Sequence, residues 1–274
     1  MHELRRIGWA LICVGLATCT SERPLRFGTT TTVQQSGALE GIDTLWPPPH
    51  PRLAVIVAGS GQILRSAADG NLDVVLTHAP LLERKFLDST HALLRCPMIV
   101  SAFAVVGPAA DPARVARATS AADAFRRLGR TGAVFVSRGD SSGTHVKELA
   151  LWRAAGVDPS GEDWYIETGA DQAANLRQAD EWKGYALADL PTFYAQRRLA
   201  LTVLYAGDAA LTNPYTLYVV RVPDPPGPHP AAAAFAAWAM GAWRSRILAR
   251  RLPDGRPAFA ARAGVCAAPD GAAP

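Results

Sequence analysis

The sequence predicts an α/β protein of two lobes, each a mostly parallel sheet flanked by helices, joined by a two-stranded hinge. Three observations carry this expectation. Apolar strand-like runs alternate with helical patterns along the whole chain, a rhythm that builds parallel sheets with helices on both faces. Four times an apolar run ends in glycine and hydroxyl residues and opens straight into a helix. Two long β-rich stretches, Met98–Gly107 and Tyr215–Val222, bracket the middle of the chain and read as crossings between lobes.

The elements follow in order. Met1–Arg6 carries two arginines, and Ile7–Ala17 is an apolar run too short to span a bilayer, so residues 1–18 read as a signal peptide. Leu16–Cys19 resembles a lipobox ending at Cys19, with threonine in the place usually held by glycine, alanine or serine. It leaves lipidation open. Leu25–Gly28 and Leu53–Ala58 read as strands, as do Leu72–Leu76 and, after a charged helical stretch at Leu81–Asp88, Met98–Gly107. Helices are expected at Ala121–Leu128, Thr144–Ala155 and Asp171–Trp182, alternating with strands at Ala133–Val136, Trp164–Glu167 and Tyr185–Ala188. The first lobe is then discontinuous, 25–100 plus 216–266, closed by a carboxy-terminal helix Ala231–Leu248. The second is 106–212, with hinge crossings at 101–107 and 213–220. Asp224–Pro230 reads as a loop and Ala267–Pro274 as a frayed tail.

With 274 residues, 49% of them hydrophobic, the chain can bury two medium cores and lacks the composition of disorder. A net charge of +4 is mild. No lysine–arginine stripe or aromatic platform points to nucleic acid. Outside the signal, Cys96 and Cys266 remain. An oxidising compartment would permit a bridge between them, but their spacing does not reveal one. There is no Cys-x-x-Cys and no histidine cluster, so neither a structural metal nor a cofactor is expected.

The junctions carry the chemistry. They are Gly28–Thr32, Gly59–Gln62, Ser137–Thr144 and Glu167–Gly169, two in each lobe. A helix start exposes unbonded N–H groups and the positive end of the helix dipole, which suits an anion. Glycine allows close approach and hydroxyls add donors. Thr32 with Gln35, and Thr168 with Asp171, also read as capping boxes. Arg138, at a strand end, offers a permanent planar charge to an oxyanion, with Asp140 placed to orient it.

Here the chain resembles a known family. Gly28–Gly37 (GTTTTVQQSG), Val57–Gln62, Asp73–Pro80, Phe135–Trp152 (FVSRGDSSGTHVKELALW), Trp164–Gly169 and Asn213–Tyr215 are similar, in order and spacing, to the tungstate-binding components of ABC importers. The resemblance runs from about Leu25 to Leu248. It implies a periplasmic type II solute-binding fold that closes on a tetrahedral oxyanion and delivers it to an inner-membrane permease. Carried over by motif, Thr31, Thr32, Ser60, Arg138, Ser142, Gly143, Thr144 and Thr168 would form the site. The chain departs from the family at Thr32 and Val33, and at Asp189–Phe193 (DLPTF), which stands outside the expected site.

Tungstate and molybdate are fully deprotonated near neutral pH and need only donors, whereas phosphate carries a proton that rewards an acceptor such as Asp140. The resemblance makes tungstate the first expectation, with molybdate or phosphate, or anion sensing without transport, as alternatives. An enzyme is not expected. His145 lies beside Ser141 and Ser142, but no Gly-x-Ser-x-Gly elbow is present. His78 is expected to pack beneath the site. The exported protein is expected to act as a monomer, in the periplasm or on the outer face of the membrane.

Overall fold

The computed structural model describes residues 23–269, apart from 47, 90 and 225. The expected signal peptide and Cys19 lie outside the described residues. β1 (Leu25–Thr30) leads into α1 (Thr31–Gln35) and α2 (Ile42–Leu45), β2 (Leu53–Ala58) into α3 (Ser60–Ala68), and β3 (Val74–Thr77) into α4 (Pro80–Asp88). The long β4 (Ala92–Gly107) is followed by α5 (Ala121–Thr131), β5 (Phe135–Ser137), α6 (Gly143–Ala155), β6 (Tyr165–Glu167) and α7 (Gln172–Glu181). Then come β7 (Ala186–Asp189), α8 (Leu190–Ala195), β8 (Thr202–Tyr205) and β9 (Thr212–Val220). A small hairpin, β10 (Val222–Pro223) with β11 (Pro226–Gly227), precedes α9 (Ala232–Trp238), α10 (Arg244–Leu248) and β12 (Ala260–Ala261).

α5 shows how local sequence selects an element. Ala121, Ala124, Phe125 and Leu128 recur at helical spacing and all are buried. Ser120 caps the start by accepting from Asp123 N, and Gly132, with φ 60°, closes the end in the left-handed region. The expected helix 231–248 is present as α9 and α10 joined by a π turn, Ala239–Trp243.

β1 pairs in parallel with both β2 and β3, and β5 pairs in parallel with β6. These are the strands that feed the helix starts. The linking strands run antiparallel. β4 pairs with β9 over Ala92–Ala102, then with β7 over Phe103–Val106, and with β8 from Val105. One strand thus serves both lobes and changes partners between Ala102 and Phe103. The segment 213–220, expected as the return crossing, is strand paired along its length with β4 and, over Thr216–Val219, with β3. The chain has already rejoined the first sheet by Thr212. Tyr215, Leu217, Tyr218, Val219 and Val220 are all buried, so the run offers no polar break to mark where the lobes part.

Each lobe buries its own aromatic core. Phe27 meets Phe235 and Trp243 at 5.2 and 5.6 Å in the first; Trp152 meets Phe125 and Phe135 at 4.6 and 5.1 Å in the second. Cys96 of β4 and Cys266 are joined by a disulfide across 170 residues of sequence. Next to it, Ala267 exchanges backbone hydrogen bonds with Arg95 at 2.8 and 3.1 Å, so the expected fraying does not begin at Ala267.

Candidate functional site

In the first lobe, the threonine run switches from strand to helix at Thr30. Its hydroxyl accepts from Val33 N at 3.2 Å, so the α1 cap is Thr30 and not the expected Thr32. Thr31 and Thr32 are the first two helical residues, and their N–H groups have no acceptor within the helix. Gln35 closes no capping box; it reaches across to the second lobe, where its Oε1 accepts from Ala173 N at 3.1 Å. At the next junction Gly59 caps α3 without a side chain, and Ser60 opens the helix. Ser60 Oγ is fully buried and has no hydrogen-bond partner among the described residues.

In the second lobe, the chain turns sharply through Gly139 and Ser141, both in the left-handed region at φ 58° and 57°. A Cβ on Gly139 would stand 2.7 Å from Glu167 Cβ, so only glycine fits. This turn folds Asp140 back: Oδ1 accepts from Ser142 N at 3.0 Å and Oδ2 pairs with Arg138 Nη2. Arg138 Nε donates to Ala170 O at 3.3 Å. The remaining nitrogen, Nη1, is buried and has no partner among the described residues. Burial draws the guanidinium pKa down, while Asp140 opposes that and favours the charge.

Ser142 caps α6, its Oγ accepting from His145 N at 3.3 Å, and Gly143 and Thr144 open the helix with N–H groups free of internal acceptors. The Thr144 hydroxyl donates to Gln172 Oε1 at 3.2 Å. The Thr168 hydroxyl is committed inside its own loop, donating to Ser137 O at 3.1 Å and accepting from Ala170 N at 3.2 Å. The cap of α7 is Asp171, which accepts from Ala174 N at 2.9 Å, so the expected Thr168–Asp171 box does not form.

The junctions of the two lobes meet. A Cβ built on Gly143 would lie 3.1 Å from Ser60 Oγ and 2.9 Å from His78 Cε1, and one on Gly61 would lie 3.5 Å from Ser141 O. Thr192 Oγ1 donates to Thr32 O at 3.3 Å, a second bridge beside the Gln35 contact. Ser60 of the first lobe and Gly143 of the second therefore come together, while the hydroxyls of Thr144 and Thr168 are engaged within the second lobe.

Behind the cleft lies a buried network that residue patterns in the sequence do not disclose. Asp189 caps α8 and accepts from Thr192 N and from Asn213 Nδ2, at 3.3 and 2.9 Å, and pairs with Ser101 Oγ. Burial raises the Asp189 pKa against these donors. His78 Nδ1 joins the network at Asn213 Oδ1, 3.0 Å away. Ser101, Asp189 and Asn213 are far apart in sequence and are brought together only by the pairing of β4 with β7 and β9. Among the described residues no group of three or more His, Cys, Asp or Glu is placed to hold a metal ion.

A family profile described as a PBP superfamily domain matches residues 18–242. A protein of Haloferax volcanii assigned as an ABC transporter anion-binding protein is 39% identical over 208 residues, 73% of this chain and 60% of the relative. The chain spans about 60% of the length of the curated relatives it matches. A crystal structure titled as the tungstate ABC transporter from Geobacter sulfurreducens is 38% identical, with a TM-score of 0.69, covering 80% of this chain and 94% of that one. The tungstate-binding protein TupA from Desulfovibrio alaskensis is 31% identical, with a TM-score of 0.72, covering 88% of this chain and all of that one. The profile match and these structural likenesses agree with the α/β fold described above, and the chain belongs to the PBP superfamily, with the fold of the type II periplasmic binding proteins.

Proposed function

We propose that the protein captures a tetrahedral oxyanion, tungstate first, between its lobes and hands it to the permease of an ABC importer. The observation that carries this reading is the pair of buried donors, Arg138 Nη1 and Ser60 Oγ, one from each lobe, that lack partners among the described residues. A buried donor without an acceptor is destabilising by about 1–3 kcal/mol, more if charged, and an anion in the cleft would relieve both at once. The first-turn N–H groups of α1, α3 and α6 add donors to the same space.

Tungstate and molybdate are favoured over phosphate because the carboxylate of the motif is already occupied. Both Asp140 oxygens are engaged, by Arg138 and by Ser142 N, so a phosphate proton would compete for the lone pairs that remain. The named ligands of the relatives point the same way. Binding without turnover is supported by the histidine at this corner. His145 Nδ1 accepts from Ser141 N at 3.1 Å, and its Nε2 has no hydrogen-bond partner among the described residues, so His145 is coupled to the hydroxyl of neither Ser141 nor Ser142.

Export is supported by the Cys96–Cys266 disulfide, a bond that persists in oxidising compartments. We place the protein in the periplasm or on the outer face of the cell membrane, with Cys19 as the candidate anchor, acting as a monomer. Thermal unfolding in the presence of tungstate, molybdate, sulfate and phosphate tests the reading. Tungstate should raise the midpoint most, since a ligand at a hundred times its Kd adds about 2.7 kcal/mol to the folded state. A rise with phosphate alone would refute tungstate as the ligand.

A further inference from the structure

His78 stands between β3 and α4 at the rim of the anion cleft, 2% exposed, with its ring stacked on Tyr215 at 4.9 Å. Its tautomer follows from its neighbour. Asn213 Nδ2 donates to Asp189 Oδ1 at 2.9 Å, and it lies 3.0 Å from Tyr215 OH and 3.2 Å from Ser101 Oγ. A flipped amide would turn its oxygen against the Asp189 carboxyl, so Oδ1 faces His78 and Nδ1 carries the hydrogen. In the neutral ring Nε2 is then a bare lone pair, and it is buried with no partner among the described residues. The ring lies against the start of α6, since the Gly143 Cβ position is 2.9 Å from Cε1, 3.1 Å from Nδ1 and 3.1 Å from Ser60 Oγ.

A bare lone pair beside a bound dianion would be repulsive, whereas a protonated nitrogen there would be a charge-assisted donor. We infer that His78 is a further anion-contacting residue, which takes a proton from solvent when the oxyanion binds and donates from Nε2 to one of its oxygens. The inference rests on the oxyanion reading above. One N–H bond forms at Nε2 and the buffer supplies the proton.

The surroundings set the direction. Burial holds the His78 pKa down at about 4, with the Asn213 contact opposing and the Arg138 charge reinforcing it, so the ring is neutral before the anion arrives. Lys147 of α6 lines a groove together with His78. Glu83 of α4 bonds Thr77 Oγ1 and Ala79 N on either side of it, and Asp189 and Tyr215 lie behind Asn213. His145 of α6 is turned away, toward Ser141 N and Glu167. Of these neighbours Arg138 is the charge that disfavours the imidazolium most directly, and a bound dianion offsets it. Because binding raises the His78 pKa, affinity rises as pH falls, by up to about tenfold per pH unit, until the free ring itself is protonated.

Calorimetry of wild-type protein with tungstate and with molybdate, in buffers of different ionisation enthalpy near pH 7, reads the proton directly. Uptake approaching one proton per anion is expected. The His78→Gln variant should lose that uptake and flatten the pH dependence of Kd. Glu148→Gln should keep both, because Glu148, whose carboxyl burial pushes up to about 7, is bonded to Ser137, Trp152 and Tyr165 within the second lobe and not to His78. Imidazole 15N spectra of the wild type give a second readout independent of folding in the variant, with the His78 Nε2 signal moving from a bare to a protonated nitrogen on adding tungstate. Anion binding with no proton uptake between about pH 6 and 8, uptake that survives in His78→Gln, or an unchanged Nε2 signal would each overturn the inference. If tungstate and molybdate give no heat at all, the oxyanion reading falls and this one with it.

Discussion

Arg138 has three guanidinium nitrogens, and among the described residues protein groups hold only two of them. On the proposed reading the third, Nη1, donates to the anion. Arg138→Ala should weaken tungstate binding by about 2–4 kcal/mol, measured by calorimetry, with the far-ultraviolet spectrum unchanged. Loss below about 0.5 kcal/mol would mean that the charge does not touch the ligand. Glu148 makes a separate prediction. Burial pushes its carboxyl up to about 7, despite hydrogen bonds from Tyr165, Ser137 and Trp152. A pKa raised in the folded state favours folding fully below the unfolded value, and that contribution is lost as pH rises through the folded value. Denaturant unfolding of Glu148→Gln against wild type should therefore show the variant gaining relative stability from about pH 5 to pH 8. A pH-independent difference would contradict the shift. At this scale the sequence was legible where a motif names its residue, as with Arg138 and Asp140. It was ambiguous in the run of four threonines, where Thr30 and Thr32 are equally good caps on paper and only the end of the β1–β2 pairing at Thr30 selects one.

At the scale of elements, α6 and α3 approach so closely that Gly143 has no room for a methyl group. Its Cβ would stand 2.9 Å from His78 Cε1 and 3.1 Å from Ser60 Oγ. Since Gly143 is an ordinary first-turn residue of α6, Gly143→Ala should leave the second lobe folded and oppose closure, weakening anion affinity by about 1–3 kcal/mol. An unchanged Kd would show that the lobes need not come this close. The bridge from Gln35 to Ala173 N and that from Thr192 to Thr32 O were not legible, since they join residues 138 and 160 apart. No periodicity reports such contacts. The alternation of strands and helices was legible because it is local, and the place where β9 rejoins the first sheet was not, because a strand buried on both faces reads the same in either lobe.

At the scale of the molecule, the two cores are joined by β4 and by the return into β9, and the Cys96–Cys266 disulfide pins the carboxy-terminal segment to β4 in the first lobe. Replacing both cysteines by serine should lower stability by about 2–4 kcal/mol in urea unfolding while leaving anion affinity intact, since the bond lies outside the cleft. An equal loss of affinity would mean that the segment helps to hold the lobes in register. Hinge closure on the ligand is the motion this architecture allows, with β4 as the element common to both lobes. The measurement that tests the account most directly is a crystal structure of the protein with tungstate, located by the anomalous scattering of tungsten. The account predicts one tungsten site between the lobes, within hydrogen-bond reach of Arg138 Nη1, Ser60 Oγ and the first turn of α6. Tungsten bound elsewhere, or on one lobe without touching Arg138, would contradict it.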